Sequence, residues 1–486
     1  MYTQVVLNCV KSSQSLTRDE PPRFKLCCEL PENRLWRPKV GKKGASLYAA
    51  ISQHHSVNIR QISQNRAEQV GYYRFLENEN VGLSELVSSL SDHCGQQVKD
   101  RHVLAINDSS EINLQSHAGR LKPDRLGVVG NNKDVGFFLH PTMVLDAESG
   151  FPLGLSHVQL WIREPGHQTK KERKYQNLPI EEKESFKWLS SAENSQYCLQ
   201  SGGAKLVTHI GDRESDLYEA WASIPDGYNH LLVRVRQNRR LWNVTQTLYE
   251  FLSQQPVQGT YSVDVLADAR INRKARSAWL SIRFAPVQIQ RPENLSAKDY
   301  PDKLRLWVVE AREISPPDGQ KPIHWRLMTT HPVESVEQAL QVVLWYRWRW
   351  WIEQLFAALK RDGLDIESTQ LESVEAIQRL TILGLGVALR TLQLVEGRDK
   401  PDLEATLAFT IQQQQCLLQL ESQLEGKTKK QQNPYPKKCL PWATWIVARL
   451  GGWSGYQSQR PPGIVTLVKG LRRFESIFLG WNLPQP

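Results

Sequence analysis

The sequence predicts an α/β fold, a strand-rich centre with helical segments on both sides. Three observations carry that reading. Apolar residues recur at helical spacing through 46–95, and again through 374–424 and 442–482. Between these regions, short apolar runs bounded by turn residues extend from His102 to about Thr330. One long amphipathic segment, about Val336–Asp362, follows the last run. At 486 residues the chain has room for two to four domains of roughly 150 residues. We divide it at 1–95, 96–375 and 376–486.

Residues 1–45 have weak periodicity and several Pro, Lys and Arg, and read as irregular. SLYAAISQHH, RAEQVGYYRFLENENV and LSELVSSLSDHC supply helices over 46–95, with an Asn-rich break at Asn78–Asn80. HVLAI (102–106) is a short apolar run ending in Asn107 and Asp108, which predicts a buried strand. GFFLHPTMVLD (136–146) and FPLGLSHVQLWIR (151–163) flank the turn signal AESG and predict a hairpin. Residues 164–185 are charged and read as an exposed loop. A short helix near Phe186–Asn194, a strand LVTHI (206–210) and a helix over RESDLYEAWASI (213–224) follow. The runs HLLVRVR, TYSVDVLA, AWLSIRFAPVQIQ, LRLWVVEAREI and HWRLMTT make 230–330 strand-rich, with one short helix near Trp242–Ser253. The Gln-rich and Lys-rich stretch 411–438, including KTKKQQNPYPKK, contains a linker between the last helical regions.

Composition narrows the function. Lys plus Arg number 61 against 51 Asp plus Glu, a net charge of +10, which suits a polyanionic partner although the excess is modest. Seven cysteines with no CxxC pair support neither a disulfide framework nor a zinc knuckle, so a reducing cytoplasm is the simplest compartment. No basic segment followed by an apolar one opens the chain. The longest clean apolar run, Leu380–Leu389, is about half of the ~20 residues a membrane span needs, so no membrane partner is expected. GxxxxGK[ST] and GxSxG motifs are absent, so neither a phosphate loop nor a nucleophile elbow is available.

The chemistry concentrates in the long helix. Tyr346, Arg349, Glu353 and Lys360 are spaced 3, 4 and 7 apart, which puts them within roughly 60° on one helix face. Trp348, Ile352, Leu355 and Leu359 form the opposite face, expected to pack on a sheet. The polar stripe could be an ordinary solvated face. It could also bind phosphate through Arg349 and Lys360, with Glu353 holding a metal ion. Four tryptophans in seven residues (Trp345, Trp348, Trp350, Trp351) favour the second reading, because aromatic rings stack on unpaired bases. Asp108 closes one strand and Asp212 follows another. Aspartates fixed at strand ends suit hard metal ions, although Asp212 could equally be a helix cap and Asp108 a turn former. Three such carboxylates can hold two Mg²⁺ for in-line phosphoryl displacement.

At these residues the sequence resembles a known family. Tyr346, Arg349, Glu353 and Lys360 make Tyr-x2-Arg-x3-Glu-x6-Lys, the signature of the insertion-sequence-four family of DDE transposases, which contains the transposon-five transposase. GDRESDLYEAW (211–221) is similar to that family's second-aspartate block, and IND followed by SS (106–110) to its first. Asp212 follows Asp108 by 104 residues, and Glu353 follows Asp212 by 141. The longer gap resembles the β-rich insertion, about 228–330, that this family carries inside an RNase H-like core. The resemblance covers roughly 46–486. GYYRFLENENV (71–81) is similar to the family's N-terminal DNA-binding helices and RPPGIVTLVKGLRR (460–473) to its C-terminal tail, whereas 1–45 match nothing.

The resemblance implies an RNase H-like catalytic core, 96–375, between an N-terminal DNA-binding region, 1–95, and a C-terminal dimerisation domain, 376–486. It implies Asp108, Asp212 and Glu353 as ligands of two Mg²⁺, with Mn²⁺ as a substitute. Tyr346, Arg349, Lys360 and Arg234 would hold the DNA end. Trp325 would lie at a flipped base and Trp350 would stack on that base, although Trp325 could also be a core residue of its strand. Ala357 departs from the pattern, since related transposases carry a second lysine there. Arg270, Arg273, Lys274 and Arg276 form a basic cluster that would contact a DNA backbone or simply face solvent. His140 and His209 read as ordinary strand histidines.

The function implied is a bacterial, nucleoid-associated cut-and-paste transposase. It would act as a homodimer on double-stranded transposon ends and target DNA. The alternatives are an inactive or truncated DNA-binding regulator of transposition, and a stand-alone nuclease of the same fold.

Overall fold

The computed structural model describes residues 38–122, 127–130, 132–166, 178–265, 274–361, 363–456 and 461–481. Four helices come first: α1 (Pro38–His54), α2 (Ile59–Ile62), α3 (Arg66–Glu77) and α4 (Leu83–Gly95). Helix α1 begins inside the stretch read as irregular, and Pro38 at its start is a residue whose fixed φ suits a first turn. Asn58 and Asn65 cap α2 and α3 through their side chains.

The strands then build one mixed sheet. Strands β1 (His102–Asn107), β2 (Ser110–Asn113), β3 (Gly127–Val129), β4 (Asp134–Asp146) and β5 (Pro152–Trp161) precede α5 (Phe186–Ser201). Next come β6 (Leu206–Gly211), α6 (Tyr218–Ser223), β7 (Asn229–Arg234) and α7 (Leu248–Gln254). Strands β8 (Gly259–Val265), β9 (Arg276–Gln290), β10 (Lys303–Glu313) and β11 (His324–Thr329) complete the sheet. Its order is β2-β4-β1-β6-β7-β11-β10-β9-β8, with β3 and β5 also on β4. Strands β1, β6 and β7 run parallel at its centre, and the other pairings are antiparallel. The 136–163 hairpin forms as β4 and β5.

Register decides which residues share a face. His102, Leu104 and Ile106 of β1 lie level with Leu206, Thr208 and Ile210 of β6. Thr208 and Ile210 lie level with His230 and Leu232 of β7, and Arg234 faces Leu327 of β11. Helix α8 (Val336–Trp348) covers this face: Trp345 packs against His102 and His331, and Tyr346 against Trp325. The other face is covered by α5, whose Leu199 joins Val103, Ala105, Val144 and Val207 in a buried cluster. Further along, α6 and α7 bury Trp221, Leu248 and Leu252 against Val233, Val308 and Met328.

The predicted single helix over 336–362 is two helices. A tightened turn at Arg349 separates α8 from α9 (Trp350–Leu359): the Arg349 N–H donates to Tyr346 and the Ile352 N–H to Arg349, each three residues back. The apolar face of α9 also packs differently from expectation. Leu359 meets Gly384 of α10 (Val374–Gly397), so α9 lies on a helix and not on the sheet. Trp348 instead covers Gly150, whose φ of 69° and lack of a side chain let the β4–β5 turn pass beneath the indole.

The helix expected over 213–224 is a 3₁₀ turn, Arg213–Ser215, followed by α6. Asp216 breaks it. Its carboxylate accepts from the Arg236 and Gln237 N–H groups, from Trp221 and from Arg239, whose ion pair with it is buried at 2.6 Å. Nor is 374–424 continuous. Helix α10 stops at Gly397 and α11 (Ile411–Leu424) takes part of the stretch read as a linker. Helices α12 (Leu440–Leu450) and α13 (Ile464–Trp481) follow.

Helix α10 is the axis of the helical layer. By length and composition alone it could cross a membrane, yet nearly all of its apolar window is buried in protein. Two buried arginines join it to the N-terminal helices. Arg379 donates to the carbonyls of Leu76 and Val81, and Arg390 to Ser52 Oγ and the Ala408 carbonyl. Residues of α1, α3, α4, α10 and α13 share one apolar core.

Glu475 of α13 is buried in that layer and accepts from Gln413 Nε2 at 3.0 Å. Burial pushes its carboxyl up to about 7, against the pull of Arg390. The raised value means that the protonated form suits the fold. Its stabilisation is complete below the ordinary 4.5 and is lost as pH rises to about 7. Glu475→Gln is therefore expected to stabilise the protein by about 1–3 kcal/mol at pH 8 and little at pH 4.5, as read by denaturant titration at both pH values.

Candidate active site

The carboxylates meet at the C-terminal end of the parallel strands. Asp108 directly follows β1 and Asp212 directly follows β6, its parallel neighbour. Alternation along the strands puts both aspartates on the face under α8. Asp108 Oδ1 accepts the Ser109 N–H at 2.8 Å. Asp212 Oδ1 accepts the Glu214 N–H at 2.8 Å and caps the 3₁₀ turn, so the capping role is real as well. Gly211 precedes it for a steric reason: a Cβ there would lie 2.1 Å from Ser215 Oγ.

Glu353 comes from the first turn of α9, and Arg349 at the α8–α9 break joins it to Asp108. One Arg349 nitrogen donates to Asp108 Oδ2 at 2.8 Å and another to Glu353 Oε1. Burial pushes the Asp108 carboxyl up to about 6; Asp212 and Glu353 add to the rise, while Arg349 and the Ser109 N–H oppose it. Asp212 and Glu353 therefore both act on Asp108, and one guanidinium offsets part of that repulsion.

Around this centre lie other residues singled out from the sequence. Tyr346 is buried and hydrogen-bonds to Arg234; burial pushes its phenol up, opposed by Arg349 and Arg234. Arg234 also donates to the His324 carbonyl at 3.3 Å. Trp325 is half-buried, with its ring edge-on to Tyr346 at 6.5 Å. The Arg349 guanidinium lies 6.0 Å from the Tyr346 ring centroid. These residues form one continuous wall beside the three carboxylates.

Two residues of the stripe stand apart. Lys360 at the end of α9 pairs with Glu367 at 3.1 Å, and Glu367 also accepts the Asn113 N–H of β2. Trp350 is 55% exposed. In the basic cluster, Arg276 is held by Glu313 at 2.8 Å and is not a solvated cation, while Arg270 and Arg273 lie outside the described residues. His140 and His209 are buried in their strands. Glu367 gave no signal in the sequence, because its partners Lys360 and Asn113 meet it only in the fold.

Hard oxygen donors of one charge suit a divalent cation. Among the described residues, however, no three His, Cys, Asp or Glu side chains stand in a formed metal shell. The Arg349 cation bridges two of the three carboxylates. The donor chemistry fits a metal, and the side-chain arrangement would have to open around Arg349 to admit one.

A family model described as the transposase DDE domain matches residues 101–389, more than half of the chain. The chain belongs to this family. The transposase DDE domain thus runs from just before β1 into α10 and contains Asp108, Asp212 and Glu353. The large mixed sheet with helices on both faces is consistent with such a domain.

Removing the bridging cation tests the electrostatics directly. Arg349→Gln is expected to cost about 1–2 kcal/mol in metal-free buffer, as read by denaturant unfolding. Adding Asp108→Asn to it should recover part of that loss by removing one repelling charge.

Proposed function

We propose that this transposase is a cut-and-paste enzyme of the insertion-sequence-four group, with an RNase H-like catalytic core. The observation that carries the proposal is the meeting of Asp108, Asp212 and Glu353 at one end of parallel strands. Asp108, Asp212 and Glu353 would hold two Mg²⁺, which when bound activate the attacking oxygen and stabilise the leaving one.

The remaining work falls to the chain. Arg234, Arg349 and Lys360 supply cations for phosphate oxygens, the two arginines through planar forks. Tyr346, with Arg234 on its hydroxyl, would fix the terminal phosphate beside the carboxylates. Trp325, already edge-on to Tyr346, would take a flipped base, and the exposed Trp350 would stack on it. Arg349 and Lys360 would exchange their carboxylate partners for DNA phosphates as the end enters.

The reaction follows from the family resemblance. A water oxygen attacks one phosphodiester and releases a 3′-hydroxyl. That hydroxyl attacks the opposite strand, forming a hairpin and freeing the flanking DNA. A second water reopens the hairpin, and the restored 3′-hydroxyl attacks a phosphodiester of target DNA, whose own 3′-oxygen leaves as a hydroxyl. The proposed working form is a homodimer on two transposon ends, acting at the nucleoid.

The test uses purified protein, Mg²⁺ and labelled duplexes from the DNA flanking its own gene. Wild type is expected to give nicks, hairpins and joined products. Asp212→Asn and Glu353→Gln should each lower cleavage by at least about 10³-fold, the scale of losing a group essential to the chemistry, with DNA binding retained. Binding without cleavage by wild type would instead identify a DNA-binding regulator. Cleavage without end preference or joining would identify a nuclease.

A further inference from the structure

We infer that His140 is a positioning residue, which fixes Asp108 through Ser109. The inference rests on the proposed role of Asp108 as a metal ligand.

Strands β1 and β2 lie along β4 in one register. Val103 to Asn107 face Asp146 to Thr142, and Ser110 to Asn113 face Leu139 to Gly136. Extending that register puts Pro141 opposite Asp108 and His140 opposite Ser109. The ladder stops at these two positions. Pro141 has no N–H to give to either neighbouring strand. The backbone at Asp108 is therefore less restrained than a central strand would be.

Side chains on either side of the break make up the restraint. Asn107 Nδ2 donates to Thr142 Oγ1 at 3.3 Å. Ser109 Oγ and His140 Nδ1 are hydrogen-bonded at 2.9 Å. Ser109 in turn gives its N–H to Asp108 Oδ1 at 2.8 Å. One serine thus links the carboxylate to the histidine, and the main chain of Asp108 also interacts with His140.

His140 is itself immobile. Its ring is fully buried and stands perpendicular to Trp188 of α5 at 4.8 Å, with Trp161 edge-on at 6.5 Å. Trp188 also lies 3.4 Å from the place a Cβ on Gly211 would occupy, beside Asp212. A single buried aromatic support therefore underlies both aspartate turns. His140 Nε2 has no hydrogen-bond partner among the described residues, so the ring's polar contact is directed to the Asp108–Ser109 link. Groups that orient a ligating carboxylate commonly change metal affinity about 10–100-fold when removed.

The experiment titrates Mn²⁺ into the full chain and reads free Mn²⁺ by electron paramagnetic resonance. Ser109→Ala and His140→Phe are each expected to raise the half-saturating Mn²⁺ concentration at least tenfold. The double variant should be no worse than His140→Phe alone, because the Ser109 hydroxyl acts through His140. His140→Asn should recover most of the affinity, since its amide reaches the position of Nδ1, whereas a purely space-filling role would be met by Phe. Ser109→Ala leaves the buried ring in place, so it decides the matter if His140→Phe does not fold. Wild-type Mn²⁺ affinity in Ser109→Ala, with affinity lost in Asp108→Asn, would overturn the inference alone. Wild-type affinity in Asp108→Asn as well would overturn the metal-ligand reading and the inference with it.

Discussion

Three negative charges have to be held close together at the C-terminal ends of central strands, and Arg349 makes that arrangement possible. Its guanidinium bridges Asp108 and Glu353, which lie 245 positions apart in the numbering, while Asp212 presses on Asp108 from the neighbouring strand. In a partly buried place such repulsion is weakly screened, so a cation between the carboxylates stabilises the whole cluster. The turn between α8 and α9 serves the same end. By tightening at Arg349 it sets the guanidinium over the strand ends and starts α9 with Glu353 in its first turn, where a negative charge is favoured.

The rest of the fold supplies rigidity to those strand ends. Parallel pairing of β1 with β6 puts the two aspartates side by side, and the apolar clusters on both faces keep the strands from shifting. Behind α9 stands α10, a nearly wholly buried helix whose Arg379 donates to the Leu76 and Val81 carbonyls and whose Arg390 donates to Ser52 Oγ of α1 and the Ala408 carbonyl. Glu353 is therefore carried on a short helix backed by the largest core of the protein. The DNA-holding candidates follow the same logic. Arg234 and Trp325 project from β7 and β11 onto the face under α8, so their side chains reach Tyr346 without any loop in between.

Much of this was legible in the sequence because it is local. Strands β1, β4 to β7 and β8 to β11 show as apolar runs between turn residues, and the polar stripe of Tyr346, Arg349 and Glu353 follows from helical spacing alone. Where the reading departed from the structure, a distant partner had intervened. Asp216 leaves the helical pattern to satisfy Arg239 and the N–H groups of Arg236 and Gln237. Lys360 sits on the same stripe as Glu353, but Glu367 captures it. Helix α9 turns its apolar face to α10, which no periodicity within α9 could reveal.

The sequence by itself determined the strands that carry the two aspartates and the helical spacing that puts Arg349 one turn before Glu353. Periodicity and residue type are properties of a few neighbouring positions, and a reader of the chain has access to them. Only the tertiary structure decided that Arg349 lies between the carboxylates, that Pro141 and His140 stand opposite Asp108 and Ser109, and that Trp188 underlies both aspartate turns. Those facts depend on register between strands and on packing between layers. Register and packing are fixed by apolar burial summed over the whole sheet, not by any segment's own pattern.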